Sequence, residues 1–332
     1  MEHDDLPDLV RDYRLEVQFI SKYEVAQISD DPDAPPSSPR RTDRWRRDKR
    51  SIGSGGQGQV YLQRCTRDGQ VSCRAVKVIS IQEGSGKRRY IRELATLSKF
   101  AHRRYFKHFV ELQGWYESKD RLYIVMEYLP DGDLHTYLCE SRFPEDDSRQ
   151  IISQVLQGLA VMHSEGFAHR DIKPKNVLIK SRRTPEGPHT WWVKLADFGI
   201  SKRIQEASGA STVVGTEEYI APELRRNIDP ARFNYPAADM WAVGAMTFRM
   251  LTQNPVFLNV WETFKYLDDP DRLFPQAPLG NYHVSLDGQT FIRALLRPQP
   301  DQRLDSRGAL LHAWVKPCMP DTPTMITDDC ER

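Results

Sequence analysis

The sequence predicts an α+β fold, with strands gathered in the first part of one bilobal domain and helices in the second. Three observations point there. A chain of 332 residues, 39 % of them hydrophobic, suffices for a sizeable core and for one bilobal domain with tails. β-prone stretches flank a glycine-rich run at Ile52–Tyr61 and recur at Ala75–Val78 and Arg121–Leu129, with a helix-periodic segment, Lys87–Leu97, among them. Farther on, Asp239–Gly244 opens an apolar helix.

Composition removes several function classes. The five cysteines, Cys65, Cys73, Cys139, Cys318 and Cys330, are scattered without metal-ligand spacing, so neither a disulfide framework nor a zinc site is expected and a reducing compartment fits. No apolar run approaches the roughly 18–20 residues needed to cross a bilayer, and the acidic start Met1–Asp5 lacks the charge pattern of a signal peptide. A cytoplasmic or nuclear protein is expected, without membrane association. The formal net charge of +1 makes no global case for nucleic-acid binding, and none is expected.

Residues 1–45 read as an N-terminal extension, largely disordered. Within it Tyr13, Leu15, Val17 and Phe19 alternate with Arg14, Glu16 and Gln18, the period of a half-buried strand. An edge strand, the remnant of another module and a locally extended tail all remain open. Asp30–Pro39 is too polar and proline-rich to bury a core and reads as a linker. Arg40, Arg41, Arg44, Arg46, Arg47, Lys49 and Arg50 form a basic run around Trp45. A solvated lead-in to the first strand is the default reading, and a nuclear-import or phosphate-binding patch the other. Residues 317–332 read as a disordered tail.

The first chemical segment holds Gly53, Gly55 and Gly58, whose missing Cβ atoms let backbone N–H groups approach phosphate oxygens. Dinucleotide-binding folds use a similar run, but there it opens a helix. Here Gln59–Arg64 reads as a strand, and Lys77 follows within Ala75–Val78. Among β-branched neighbours Lys77 needs an anionic partner, which phosphate oxygens and Glu93 on the helix-periodic segment would provide. Arg121–Leu134 then runs from an apolar strand through a turn to a helix start, a strap suited to presenting backbone groups to a nucleobase edge. Ala168–Asn176, followed by Asp197–Gly199, supplies a base, a phosphate-facing cation and two metal ligands in one order.

From about Trp45 to about Lys316 this order of motifs resembles a eukaryotic protein kinase domain of serine/threonine type. The resemblance implies the bilobal kinase fold, with a small β-rich N-lobe and hinge at 46–129 carrying one main helix, and a larger, mainly helical C-lobe at 130–316. It implies ATP and Mg²⁺ as cofactors and proteins as substrates. At matching positions, Gly53, Gly55 and Gly58 would cover the ATP phosphates. Val60, Ala75 and Leu178 would sandwich the adenine, the backbone of Glu127 and Leu129 would hydrogen-bond it, Met126 would be the gatekeeper and Asp133 would serve the ribose. Asp171 would be the base, Lys173 would face the transferred phosphate, and Asn176 and Asp197 would hold the magnesium ions.

The segment between Asn176 and Asp197 reads as an elongated hairpin without chemistry. Ser208, Ser211 and Thr212 are phosphoacceptor candidates for an upstream activating kinase, Thr212 foremost because it lies three residues before Gly215–Thr216, and Arg170 would hold the phosphate. Asp239 would fix the catalytic-loop backbone, and Arg303 would pair with Glu223. Two departures bear on specificity. Lys175 and Arg249 stand where arginine-directed kinases carry Glu, so arginine two residues upstream of the acceptor should be rejected, while Val213 and Ile220 suggest an apolar pocket after it. A scaffolding pseudokinase is set against the intact set Lys77, Glu93, Asp171, Asn176 and Asp197, and a small-molecule kinase against Ala221–Pro222–Glu223.

Overall fold

A computed structural model of the chain describes residues 7–30, 35, 38–55, 58–81, 94–183, 190–197, 202–203, 217–225 and 233–318. Contacts within the chain gather into two compact units, Met1–Pro130 with Ala196–Gly199 and Asp131–Leu195 with Ile200–Arg332.

The first unit is built on one seven-stranded sheet of order β1-β2-β3-β4-β5-β7-β6. Its strands are β1 (Glu16–Ser21), β2 (Glu24–Ser29), β3 (Arg41–Gly55), β4 (Gly58–Arg67), β5 (Gln70–Ser80), β6 (Leu112–Glu117) and β7 (Arg121–Glu127), and every neighbouring pair is antiparallel. A short helix, α1 (Asp8–Arg11), precedes β1, and residues 94–100 are helical (α2). Side chains alternate across each strand, and one face gathers Val25, Val76, Tyr116, Tyr123 and Val125 into a core joined by Leu15, Val17, Trp45, Tyr61 and Val78. Tyr116 and Tyr123 stack with ring centroids 4.6 Å apart.

The two edges of this sheet meet. Arg14, just before β1, bridges in parallel to Trp115 of β6: Leu15 N–H donates to Trp115 C=O at 2.8 Å, and Trp115 N–H to Tyr13 C=O at 2.9 Å. Only glycine admits this approach, because a Cβ on Gly114 (φ +145°) would lie 2.6 Å from Leu15 Cγ. Trp115, fully buried, donates its indole N–H to Val10 C=O at 2.7 Å and so ties down α1.

Two expectations change here. The first 45 residues are no open extension, since residues 16–29 form a hairpin of the main sheet and β3 already begins at Arg41. Of the open readings for Tyr13–Phe19, the edge strand is the one observed. The basic run is likewise no solvated lead-in throughout. On β3, Arg44 and Arg46 face solvent, but Arg47 is buried with its guanidinium 4.2 Å over the Tyr61 ring. Most of the linker (31–34, 36–37) and the tail from 319 onward lie outside the described residues.

The second unit is mainly helical. It contains α3 (Leu134–Glu140), α4 (Glu145–Ser164), α5 (Tyr235–Thr252), α6 (Val260–Asp268), α7 (Gln276–Asn281), α8 (Leu286–Leu295) and α9 (Ser306–Leu311). Two short antiparallel pairs accompany them, β9 (Val177–Arg183) with β10 (Thr190–Leu195), and β8 (Phe167–Ala168) with β11 (Lys202–Arg203). The expected hairpin after Asn176 is therefore present, with its tip at 184–189 outside the described residues. α4 starts after Pro144 with Glu145, Asp146 and Asp147 in its first turn, where carboxylates meet the positive end of the helix dipole. α5 is capped by Asn234, whose Oδ1 accepts from Ala237 N–H at 3.1 Å. Nearly every side chain of α5 is buried, as befits a helix apolar all round, and the charged Asp239 among them is 1 % exposed. Among the described residues no helix is long and apolar enough to cross a membrane.

Candidate active site

Asp239 holds the backbone turn that precedes Asp171. Its carboxylate accepts the backbone N–H groups of His169 at 2.8 Å and Arg170 at 2.7 Å, and Oδ2 also lies 3.0 Å from His163 Nε2. Arg170 sits at φ +70°, a left-handed conformation that a non-glycine residue keeps only when its surroundings impose it. Its guanidinium lies 3.8 Å over the ring of buried Tyr235, and burial holds its pKa below the usual arginine value.

Beyond this turn three predicted residues converge. Lys173 Nζ donates to Asp171 Oδ2 at 2.7 Å. Pro174–Asn176 forms a short 3₁₀ turn that folds the Asn176 side chain back, so that its Nδ2 donates to Asp171 C=O at 2.7 Å and to Oδ2 at 2.9 Å. Asp171 is 6 % exposed, and both of its described donors fall on one oxygen. Asp133 caps α3, accepting from Thr136 N–H at 2.9 Å, and its backbone bridges to half-buried Leu178.

In the first unit the strand registers bring the other predicted residues together. Val60 lies opposite Lys77, and Ala75 opposite Met126, so the four share one sheet face. Lys77, 7 % exposed, donates from Nζ to Asp197 Oδ1 at 2.7 Å. Asp197 also has a left-handed backbone, φ +62°. Gly55 lies opposite Gly58 near the β3–β4 turn, and Gly53 opposite Val60. Gly58 is at φ +136°, and a Cβ there would lie 2.4 Å from Val78 O, whereas one on Gly53 would meet nothing nearer than 3.8 Å. Glu127 is buried with its carboxylate accepting from Glu111 N–H at 2.9 Å, and Leu129 is buried beside it in sequence.

Glu93, Ser208, Ser211, Thr212 and Val213 lie outside the described residues. The expected pair of Arg303 and Glu223 is present as a two-pronged contact at 2.7 and 2.8 Å. Ile220 is buried. Arg249 has a partner that its sequence position does not announce: Glu218, at 3.4 Å. The two line a cavity of about 390 Å³ with His135, Leu138, Cys139 and Tyr282. His163, 76 residues from Asp239 in sequence, likewise belongs to no local motif.

The family described as protein kinase domain matches residues 46–315. The chain belongs to the protein kinase family. Its relatives place it with the serine/threonine type. It is 33 % identical over 253 residues to the serine/threonine-protein kinase RAD53 of Saccharomyces cerevisiae, and 32 % identical over 272 residues to the calcium/calmodulin-dependent protein kinase cmkA of Emericella nidulans. A Dictyostelium discoideum protein named "Probable myosin light chain kinase" is 32 % identical over 270 residues. The matches cover 73 %, 80 % and 80 % of this kinase chain and 30 %, 61 % and 82 % of RAD53, cmkA and the Dictyostelium protein, respectively. A solved structure of Rad53 residues 1–466 with AMP-PNP is similar over 82 % of this chain and 65 % of its own, with a TM-score of 0.65 at 29 % identity. The fold is thus the bilobal protein kinase fold that the motifs imply.

Proposed function

We propose that this kinase binds ATP with magnesium and transfers the γ-phosphate to serine or threonine hydroxyls of protein substrates. The observation that carries the reading is the Asp171 cluster, in which Lys173 and Asn176 both donate to Oδ2 and turn one carboxylate oxygen into a fixed anchor. Oδ1, with no described donor, is then the oxygen that orients the acceptor hydroxyl and takes its proton as the hydroxyl oxygen bonds to the γ-phosphorus and the bond to ADP breaks. Lys173 Nζ offsets charge on the transferred group. Lys77 would hold the α- and β-phosphates, with Gly53, Gly55 and Gly58 over them and Glu93 as its second anionic partner. The face carrying Val60, Ala75 and Met126 would take the adenine with Leu178, beside the backbone of Glu127 and Leu129, and Asp133 would meet the ribose. The AMP-PNP in the Rad53 structure supports a nucleotide here.

The residues present suit magnesium. Asn176 spends its amide nitrogen on Asp171, so its oxygen would be the atom offered to a cation, and the Asp197 carboxylate would be the other hard oxygen donor, with phosphate oxygens to complete the set. When bound, the ion neutralises charge building on the phosphates.

Activation by an upstream kinase at Thr212, with Ser211 and Ser208 as alternatives, is proposed on Arg170, whose place before Asp171 would let it hold the phosphate. For the substrate, exposed Lys175 and the cation of Arg249 disfavour arginine two residues before the acceptor, Glu218 offsetting part of the second charge.

The test is ATP turnover and phosphosite mapping on the full chain beside Lys77→Met and Asp197→Ala. Phosphate on Ser or Thr that both substitutions abolish supports the reading. Nucleotide binding without turnover, even after treatment with an activating kinase, would leave a scaffold instead.

A further inference from the structure

We infer that the hairpin β1–β2 is a positioning element for the nucleotide, acting through Gln27 on Arg74 and through Arg74 on the strand that carries Ala75 and Lys77. The inference rests on the ATP reading above for its kinetic consequence but not for the mechanical coupling.

Arg74 stands three residues before Lys77 on β5, and side chains alternate along a strand. Arg74, Val76 and Val78 therefore turn into the sheet core while Ala75 and Lys77 face the other way. A guanidinium 3 % exposed has to find its partners inside the protein. It donates from Nε to Gln63 Oε1 at 2.8 Å and from Nη1 to Gln27 Oε1 at 2.6 Å, and its plane lies 3.8 Å over the Trp45 ring. Gln63 is fixed in turn by its Nε2 on Tyr116 Oη at 3.2 Å. Among the described residues no carboxylate lies within ion-pair distance of Arg74, so two neutral amide oxygens and an indole face hold a buried cation. Burial lowers its pKa to about 10, which leaves it charged at neutral pH.

Gln27 and Trp45 both precede residue 46, where the family match begins. Part of the support for the Lys77 strand thus comes from a segment that the kinase family as such does not supply. The same segment clamps the far edge of the sheet through Leu15 and Trp115, beside the strand that bears Met126. Nη2 already lies buried without a hydrogen-bond partner, so without the Gln27 oxygen both terminal nitrogens are stranded in the core and only Nε keeps a partner. Arg74 can recover a partner only by leaving its seat on Trp45, and it moves β5 with it.

The experiment uses the full chain and compares wild type with Gln27→Leu, Gln27→Glu and Lys77→Met. Gln27→Leu should raise KM for ATP about five- to tenfold with kcat within about twofold, and Gln27→Glu, which keeps an acceptor, should restore KM. Gln27→Leu should also speed amide hydrogen exchange in residues 70–80 without any nucleotide present, a readout that stands even if wild type binds no ATP. A lower unfolding midpoint with unchanged KM and unchanged exchange in 70–80 would overturn the inference, leaving the hairpin a structural cover only. Should Gln27→Leu not fold, exchange of the wild type with and without ADP decides. Added protection in residues 24–29 together with 70–80 supports the coupling, and protection confined to 70–80 overturns it. Wild type that matches Lys77→Met in failing to bind nucleotide would refute the ATP reading by itself.

Discussion

Asp239, 1 % exposed on helix α5, accepts the backbone N–H groups of both His169 and Arg170 through its two carboxylate oxygens. One buried side chain thus sets the backbone immediately before Asp171. An asparagine would present a single acceptor oxygen and turn an N–H group toward a backbone N–H. Asp239→Asn is therefore expected to lower kcat at least about tenfold, because the loop loses the contact that holds Arg170 at φ +70°. KM for ATP should move far less. Steady-state kinetics against ATP, with circular dichroism to verify folding, checks both.

Arg303 has a side chain with no exposure and meets Glu223 with both terminal nitrogens, while donating also to the carbonyls of Ala237, Arg297 and Pro298. Arg303→Met removes the cation and leaves these acceptors dry. A loss of about 3–5 kcal/mol in unfolding free energy is expected, as for a buried pair broken on one side. Adding Glu223→Gln should cost less than the sum of the singles, since the stranded carboxylate is the larger part of the penalty. Denaturant titration of the singles and the double completes the cycle.

The glycines of the β3–β4 turn should not behave alike. Ala at Gly58 would place a Cβ 2.4 Å from Val78 O at φ +136°, whereas Ala at Gly53 would meet no atom closer than 3.8 Å. Gly58→Ala should destabilise by more than about 1 kcal/mol and weaken nucleotide binding, with Gly53→Ala near wild type in stability. Thermal unfolding and nucleotide titration of the two variants separate them.

His108 and His312 both have pKa values below the ordinary histidine value, His108 through burial and then nearby Lys107, His312 through burial that Asp287 only partly offsets. In the window between the folded and unfolded values the unfolded chain binds more protons, so stability must fall as pH drops from about 7 towards about 5. Each group's contribution levels off once the folded state is protonated too. His108→Gln should flatten part of that slope. Urea midpoints measured across this range for both chains give the sign directly.

How far the site could be read from residues alone depends on distance along the chain. Asp171, Lys173 and Asn176 lie within six positions, so their spacing already dictates a shared turn, and they converge on one carboxylate oxygen. Lys77 and Asp197 are far apart in sequence and were recognisable only through the order of motifs, yet Nζ reaches Oδ1. Arg249 shows the opposite case. Its position announces a lone cation, while the fold supplies Glu218 from 31 residues away.

The chain's periodicities, glycine spacing and motif order were enough to specify the kinase family and the α+β class, because these are local patterns that each element carries within itself. The first 45 residues were legible only in part. The alternation at Tyr13–Phe19 marks a possible strand without naming its partner, and Glu24–Ser29 bears no such mark, since a strand's burial depends on what lies opposite it. That Arg14 meets Trp115, that Gly114 leaves room for Leu15, and that Gln27 reaches Arg74 are consequences of how the sheet curls. Contacts of this kind join segments whose sequences hold no record of each other, and only the folded sheet brings them together.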